Sequence, residues 1–450
     1  MKYDSVIIGF GKGGKTLAAA LAGRGEKVAV IEKSNKMYGG TCINVGCIPS
    51  KSLVRSSGLS RLNSTDSFDA KDEKYKKAIE EKRRVTSMLR QKNYDKLNNL
   101  SNVTVIDGTA SFLSNTEVLI KKDGAENKVS ADKIFINTGS TAVIPDIEGI
   151  NNNPKVFTSE TLMELEKLPR NLTIIGGGYI GLEFASMYSN FGSRVTVIQD
   201  GGVFISKEDR DIANEIQKVL EENGVSFIFS AKTYKIDGAD VYYKKEENDF
   251  ILNGDAVLIA TGRRPNTDGL CADKAGVELT ARGAVKVDDG LKTTASNIWA
   301  MGDVCGSLQF TYVSLDDCRI VLSQLNKGEE RKLSSRRNVP YSVFISPSFS
   351  RVGLSEKEAL EKGYKIKVAK LPAAAVPKAQ VLKQTSGLLK AVIDADTDKV
   401  LGAMLFCEES YEMINIVKLA MDMEADYRVL RDNIYTHPTM REALNDLFAV

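Results

Sequence analysis

Residues 4–33 read DSVIIGFGKGGKTLAAALAGRGEKVAVIEK, and their pattern sets the architecture. An apolar strand runs into Gly9-x-Gly11-x-x-Gly14. Lys15 to Leu21 has the alanine and leucine content of a helix, and KVAVIEK is a second strand. Glycines let such a turn tighten and let the backbone approach a pyrophosphate, whose charge meets the helix N-terminus. Glu32 closes the second strand, where a carboxylate can accept from a ribose hydroxyl. A glycine fingerprint alone is weak evidence; strand, helix and acidic residue in register make it a dinucleotide-binding unit.

The unit recurs at 171–200, NLTIIGGGYIGLEFASMYSNFGSRVTVIQD, with Gly176-x-Gly178-x-x-Gly181. Two such units imply two dinucleotides. Gly9 to Glu32 is 23 positions, and the same step from Gly176 lands on Gln199, with Asp200 adjacent. No arginine lies between Gln199 and Ser206 to meet a ribose 2′-phosphate, which favours NADH over NADPH at this second site.

Close behind the first unit lies GGTCINVGCIPSK, residues 39–51. Cys42 and Cys47 are too far apart for a Cys-x-x-Cys motif, but one helical turn can bring the sulfurs together. A disulfide or dithiol beside a nucleotide motif reads as a redox centre. The alternative is a structural staple, although so short a loop closes little denatured-state entropy.

Asp69 to Leu100 carries Ile79, Val85, Met88, Leu89 and Leu97 near helical spacing, which predicts a long amphipathic helix with a solvated Lys/Glu face. Residues 103–144 read as short strands. FINTGS at 135–140 is echoed by LIATGRRPN at 258–266, each ending a strand in Thr-Gly. NIWAMGDV at 297–304 puts Gly302 and Asp303 at another strand end, as a turn or as a polar contact for a cofactor. From about Asn338 the pattern changes to antiparallel strands and then helices around 410–423 and 439–448, a region with no glycine fingerprint.

Basic and acidic residues nearly cancel, 61 against 59, so nothing points to a nucleic-acid or polyanion partner. No stretch approaches the length of a membrane helix, and the N-terminus has neither a signal nor a transit pattern. Cys271, Cys305, Cys318 and Cys407 are scattered with no metal-ligand spacing, a single histidine, His437, leaves little scope for a metal site, and this cysteine usage suits a reducing cytoplasm. The expectation is a cytoplasmic, metal-free protein.

The double fingerprint, the GGTCxNVGCIPSK stretch, ATGRxPN, MGDV and the terminal HPTxxE together resemble the pyridine-nucleotide disulfide oxidoreductases, in the expected order along the whole chain. The implied fold is α/β, with two Rossmann-like dinucleotide-binding domains and a C-terminal α+β dimerisation domain. On this likeness residues 1–148 and 270–334 hold FAD, 149–269 hold NADH or NADPH, and 335–450 form a homodimer interface. IIGFGKGGKT, MYGGTCIN, GSLQFTYVSLDDCRIV, NVPYSVF and EMINIVK are similar to the reactive-chlorine-resistance flavoproteins. Members of that subgroup act as hypothiocyanous acid reductases, and copper(II) reductase activity is also attributed to it. Two departures from the sibling enzymes fit this narrower likeness. Tyr435 stands where lipoamide dehydrogenases and glutathione reductases usually have a second histidine, and no cysteine follows Cys407, unlike the paired-cysteine tail of mercuric reductases.

By the same resemblance Cys47 is the flavin-side sulfur and Cys42 the one that meets substrate, with His437 as the proton-handling imidazole supplied by the partner subunit. Glu442 orients His437, although Thr439 and Glu442 also spell a capping box in which Glu442 satisfies only a helix-start amide. Lys51 and Glu183 pair beside the flavin; alone they read as a solvated lysine and a first-turn helix carboxylate. The FAD contacts implied are Gly9, Gly11, Gly14, Glu32, Lys33, Gly40, Thr41, Gly46, Lys51, Thr109, Ala110, Thr138, Gly139, Gly302 and Asp303. Those implied for the nicotinamide dinucleotide are Gly176, Gly178, Tyr179, Ile180, Gly181, Glu183, Gln199 and Gly262. Phe310, Tyr312 and Tyr435 are candidates to line a small substrate opening, or are ordinary core. A disulfide reductase for lipoamide or a small thiol and a non-catalytic flavin-binding redox sensor are the competing readings.

Overall fold

A computed structural model describes residues 1–62, 65–326 and 331–450. The chain forms two compact units: one comprises Met1–Leu53, Lys77–Ile144 and Gly262–Arg336, the other Val54–Lys76, Pro145–Thr261 and Arg337–Val450.

The first unit is built on a seven-stranded sheet. Its order is Val103–Asp107, Val28–Glu32, Lys2–Ile8, Ala125–Ile136, Glu117–Lys122 and Thr109–Phe112, with Ile298–Ala300 also paired to Ala125–Ile136. The central strands run parallel, with Ile7 facing Val30 on one side and Phe135 on the other. Strand alternation sends neighbouring residues to opposite faces. Val6, Ile8, Ala29 and Ile31 enter one core, while Ile7, Val28, Val30 and Phe135 enter the other with Leu17 and Leu21 of helix Lys12–Ala22. Each large side chain buried this way contributes roughly 1.5–3 kcal/mol. Because all parallel strands point the same way, their carboxyl ends gather at one edge, where the glycine turn, Glu32, Asn137 and Met301 follow directly.

The second unit has its own parallel sheet: Val225–Ile228, Arg194–Ile198, Asn171–Ile175, Ala256–Ile259 and Val156–Thr158. Helix Tyr179–Phe191 follows its glycine turn and buries Leu182, Phe184, Ala185 and Tyr188. The same unit holds the C-terminal antiparallel sheet, Tyr341–Val343, Phe349–Gly353, Val400–Phe406, Leu388–Asp394 and Ile366–Pro372, backed by helix Ser410–Asp422. Buried charge links the two sheets. Arg351 bonds Glu208 at 3.1 Å, and Lys390, 1% exposed, meets Asp209, Asp211 and Glu356 at 2.9, 3.0 and 2.7 Å. Burying these charges is tolerable only because each has its counter-ion.

The long amphipathic helix spans Phe68–Asn98. Among the described residues no helix is long and apolar enough to cross a membrane. No group of three or more His, Cys, Asp or Glu among them is arranged to hold a metal ion.

Candidate active site

Cys42 lies in the one-turn helix Thr41–Asn44, and Cys47 opens helix Cys47–Arg61. The sharp turn before Cys42 rests on Gly40, whose φ is +78° and whose position would put a Cβ 2.6 Å from the Gly11 Cα. The cysteine segment is thereby pressed against the first glycine turn. Asn44 braces it, donating to the Tyr38 and Gly40 carbonyls at 3.0 and 2.9 Å and accepting from Arg90 at 2.7 Å. Both cysteines are thiols, and their side chains hydrogen-bond each other. That bond and burial push the Cys42 thiol up, opposed by the Thr311 hydroxyl and the Lys15 ammonium. Thr311 also touches Cys47, Oγ1 to Sγ, at 3.5 Å.

Thr311 begins helix Thr311–Leu325, flanked by Phe310 and Tyr312, whose rings stack at 5.1 Å. Burial and the Cys47 sulfur raise the Tyr312 phenol. Tyr435 packs on the C-terminal core of the second unit, its hydroxyl donating to the Leu430 carbonyl at 3.4 Å.

At the carboxyl edge of the first sheet the residues fit a dinucleotide flavin. Glu32 is buried and accepts from the Phe10 amide at 3.0 Å; burial raises its carboxyl above the usual range. Asp303 accepts from Ser140 Oγ at 2.7 Å and is likewise raised by burial, with Ser140 and Arg263 opposing. Beside Gly139, the Thr138 hydroxyl is buried with no hydrogen-bond partner in the protein, an orphan that a polar ligand atom would satisfy. Gly302 donates its amide to Asp317 at 2.7 Å. Thr109 and Ala110 open strand Thr109–Phe112, Lys33 follows Glu32, Thr41 starts the Cys42 helix, and Gly46 precedes Cys47.

In the second unit Tyr179 opens the fingerprint helix beside Ile180, and its hydroxyl bonds Glu208, which also accepts from Tyr341. Gln199 turns inward and donates to the Gly201 and Val203 carbonyls at 3.0 and 2.9 Å. Gly178 has open space where a Cβ would point, as does Gly262 in the first unit. Glu183 accepts from the Phe344 amide at 2.9 Å, and Lys51 sits on helix Cys47–Arg61. His437 is exposed, with Nδ1 2.7 Å from Glu442 Oε2, and the second Glu442 oxygen is buried with no hydrogen-bond partner. The capping box that Thr439 and Glu442 spell does not form: Thr439 makes no side-chain cap and instead donates to the Thr436 carbonyl at 2.8 Å.

Two contacts escape a sequence reading. Thr311 reaches the cysteines from 264 positions away, its only signal being a hydroxyl at a helix start between two aromatics. Asn137, in the quoted FINTGS, accepts from the Gly11 and Gly14 amides and donates to the Met301 carbonyl, each at 3.2 Å, in the amide orientation that pairs donors with acceptors.

Comparison with known proteins agrees with this geometry. The family model described as "Pyridine nucleotide-disulphide oxidoreductase" matches residues 3–317, and that family's dimerisation domain matches 339–448. The chain belongs to the pyridine nucleotide-disulphide oxidoreductases. It is 48% identical to the probable pyridine nucleotide-disulfide oxidoreductase RclA of Escherichia coli K12, covering 100% of this chain and 99% of that one. A mercuric reductase of Bacillus cereus is 35% identical, over 98% of this chain and 70% of its own length. A dihydrolipoyl dehydrogenase of Mycobacterium tuberculosis is 34% identical, over 99% and 97%. Among solved structures, the HOCl-induced flavoprotein disulfide reductase RclA of Escherichia coli superposes with a TM-score of 0.93 over 100% of both chains, at 48% identity. A Cu(II) complex of the same protein gives 0.94, over 100% of this chain and 99% of that one. The fold is thus that of a pyridine nucleotide-disulfide oxidoreductase with a dimerisation domain. Family membership implies FAD and a nicotinamide dinucleotide.

Proposed function

We propose that this enzyme oxidises NADH or NADPH and delivers the electrons through the Cys42–Cys47 pair to hypothiocyanous acid, releasing thiocyanate as a defence against thiocyanate-derived oxidants. The observation that carries the reading is the pair of mutually hydrogen-bonded thiols beside a glycine turn, with Thr311 on both sulfurs. Residues 1–148 and 270–334 would form the FAD domain, 149–269 the nicotinamide domain, and 335–450 the interface of a cytoplasmic homodimer. Gly9, Gly11, Gly14, Glu32, Thr138 and Asp303 would hold FAD; Gly176, Gly178, Gly181 and Gln199 would hold the nicotinamide dinucleotide. When bound, FAD carries the electron pair from the nicotinamide to the disulfide.

The residues' own chemistry follows from the dithiol. The Cys42 thiolate attacks the electrophilic sulfur of hypothiocyanous acid; an S–S bond forms, the S–O bond breaks, and hydroxide leaves to become water. Cys47, giving up its proton, then attacks the Cys42 sulfur, expels thiocyanate and restores the disulfide. The dithiol is oxidised by two electrons and the acid reduced by two. His437, oriented by Glu442 and supplied across the dimer, accepts and returns the proton, so dilution into monomers abolishes turnover. Lys51 would supply an ammonium that favours negative charge on a bound flavin, with Glu183 as the counter-charge the family resemblance implies. Phe310 and Tyr312 would line the opening beside Cys47, and Tyr435 is a further candidate by the resemblance.

A second reading, reduction of copper(II), is favoured by the Cu(II) complex of the similar RclA. Nicotinamide oxidation measured side by side with hypothiocyanite, copper(II), lipoamide and glutathione disulfide separates these readings. Hypothiocyanite is expected to be the best acceptor, with Cys42→Ser abolishing its reduction. Full hypothiocyanite-dependent turnover in Cys42→Ser overturns the mechanism.

A further inference from the structure

The long helix Phe68–Asn98 has no part in the reaction as described so far, and its charged face reads from the sequence as solvated. One side of its C-terminal turns is not. Arg90, Asn93 and Tyr94, three and four positions apart, share a face and are half-buried, while Gln91, Lys92 and Lys96 are exposed. All three address the segment that leads into the cysteines. Arg90 donates from Nε to Asn44 Oδ1 at 2.7 Å. A Cβ on Gly39 would lie 3.3 Å from the Asn93 Cγ, and Asn93 also accepts from the Lys15 ammonium. The Tyr94 ring stacks on Tyr38 with centroids 4.8 Å apart, and the Tyr38 phenol is anchored by donating to Asp107 at 2.6 Å.

Asn44 is where this face meets the thiols. It lies between Cys42 and Cys47, is buried, and ends the one-turn helix Thr41–Asn44. A single helical turn is marginal on its own, because fixing it costs more order than its few bonds return. Here the Asn44 amide secures the turn by donating to the Tyr38 and Gly40 carbonyls at 3.0 and 2.9 Å, and Arg90 secures Asn44. We propose that Arg90 is a positioning residue for the thiol pair: its Nε–H fixes the Asn44 side chain, which holds the loop over 40–47 in the shape that brings the two sulfurs together, and so sets how readily the dithiol closes to a disulfide. This rests on the reading of Cys42 and Cys47 as a pair that cycles between those two states. The two side chains already hydrogen-bond as thiols, so the brace favours their approach over their separation. Closure forms one S–S bond and passes two electrons and two protons to the oxidant, and its equilibrium constant follows the effective concentration of one sulfur at the other. Without the Arg90 donor a buried amide oxygen is left unpaired, and the loop regains conformations in which the sulfurs lie apart.

The test reads that equilibrium rather than turnover. The flavin-loaded enzyme, free of nicotinamide and oxygen, is equilibrated with graded mixtures of reduced and oxidised dithiothreitol. The reagent's dithiol gives two electrons and two protons to the Cys42–Cys47 disulfide and itself closes to a ring. Acid quenching, alkylation of free thiols and peptide mass then give the closed fraction. Arg90→Met keeps the apolar stem and the helix propensity. Its closing constant is expected to fall about tenfold, a midpoint about 30 mV higher, with flavin absorbance and helical circular dichroism unchanged. Arg90→Gln carries an N–H at the same number of bonds from the backbone as the arginine Nε, and no charge, so it is expected to return to within about threefold of the parent. An Arg90→Met midpoint equal to the parent's overturns the proposal, as does one that comes with lost flavin or lost helix. An Arg90→Gln midpoint displaced as far as that of Arg90→Met also overturns it, by making the charge and not the bond the cause. A parent pair that closes in none of the mixtures would instead overturn the reading of Cys42 and Cys47 as the redox pair, and the role of Arg90 with it.

Discussion

The two glycine turns have the same backbone and different ends. Gly9 and Gly176 both take positive φ, +107° and +111°, and a Cβ on them would lie 2.3 Å from the Asn137 carbonyl oxygen and 2.5 Å from that of Ala260. Gly14 and Gly181 each lie against the carbonyl of their own first glycine, where a Cβ would sit 2.5 and 2.2 Å away. The strand that follows ends differently. In the first turn Glu32 offers a buried carboxylate and accepts from a loop amide; in the second Gln199 spends its donors on the Gly201 and Val203 carbonyls. Asn137 braces the first turn with a side-chain amide where the second has Ala260. The glycines thus set the shape common to both, and the residues around them are where the two turns differ.

The largest effect that separates the turns should come from their last glycines. Gly14→Ala is expected to abolish flavin binding, seen as a colourless purified chain. Gly181→Ala should keep the flavin spectrum while raising the nicotinamide KM about 100-fold, because the added methyl has backbone against it. A colourless Gly181→Ala enzyme would break the assignment of one dinucleotide to each turn. Asn137→Ala makes the first turn resemble the second and is expected to cost about 1–3 kcal/mol, read from urea denaturation of the flavin-stripped chain. Gln199→Arg should lower the NADPH KM relative to that of NADH about tenfold, since a guanidinium can meet a 2′-phosphate.

The smallest effect belongs to Glu32→Gln. Burial raises the folded-state pKa of Glu32, so the carboxylate's contribution is most favourable below its unfolded value and is lost as pH rises through the folded one. The flavin-stripped Glu32→Gln chain should therefore match the parent's thermal midpoint in acid and exceed it by a few degrees at neutral and alkaline pH. Its FAD affinity should nonetheless fall severalfold.

What was legible in the sequence was whatever depends on short-range spacing. The glycine fingerprints, the apolar strand holding Val6, Ile7 and Ile8, the long helix and the antiparallel C-terminal sheet all follow from local pattern and turn chemistry. Cys42 and Cys47 were visible for the same reason. Thr311 and Asn137 were not, because each is brought to its contact by a strand or helix far along the chain, and no period links a hydroxyl at 311 to a sulfur at 47. Lys15 stood inside the first quoted stretch, but its partner Asn93 is delivered only by the fold. The competing capping-box reading of Glu442 shows the converse: a local pattern was present, and the structure uses the carboxylate on His437 instead.

The buried lysine at 390 has a consequence for dissecting the protein. Asp209 and Asp211 begin a helix that belongs to the second nucleotide fold, but their counter-charge, like that of Glu208, comes from Lys390 and Arg351 in the antiparallel sheet. A fragment ending before residue 338 would leave three carboxylates stranded, so the second nucleotide module is not an excisable part. The last quarter of the chain is the other half of its salt.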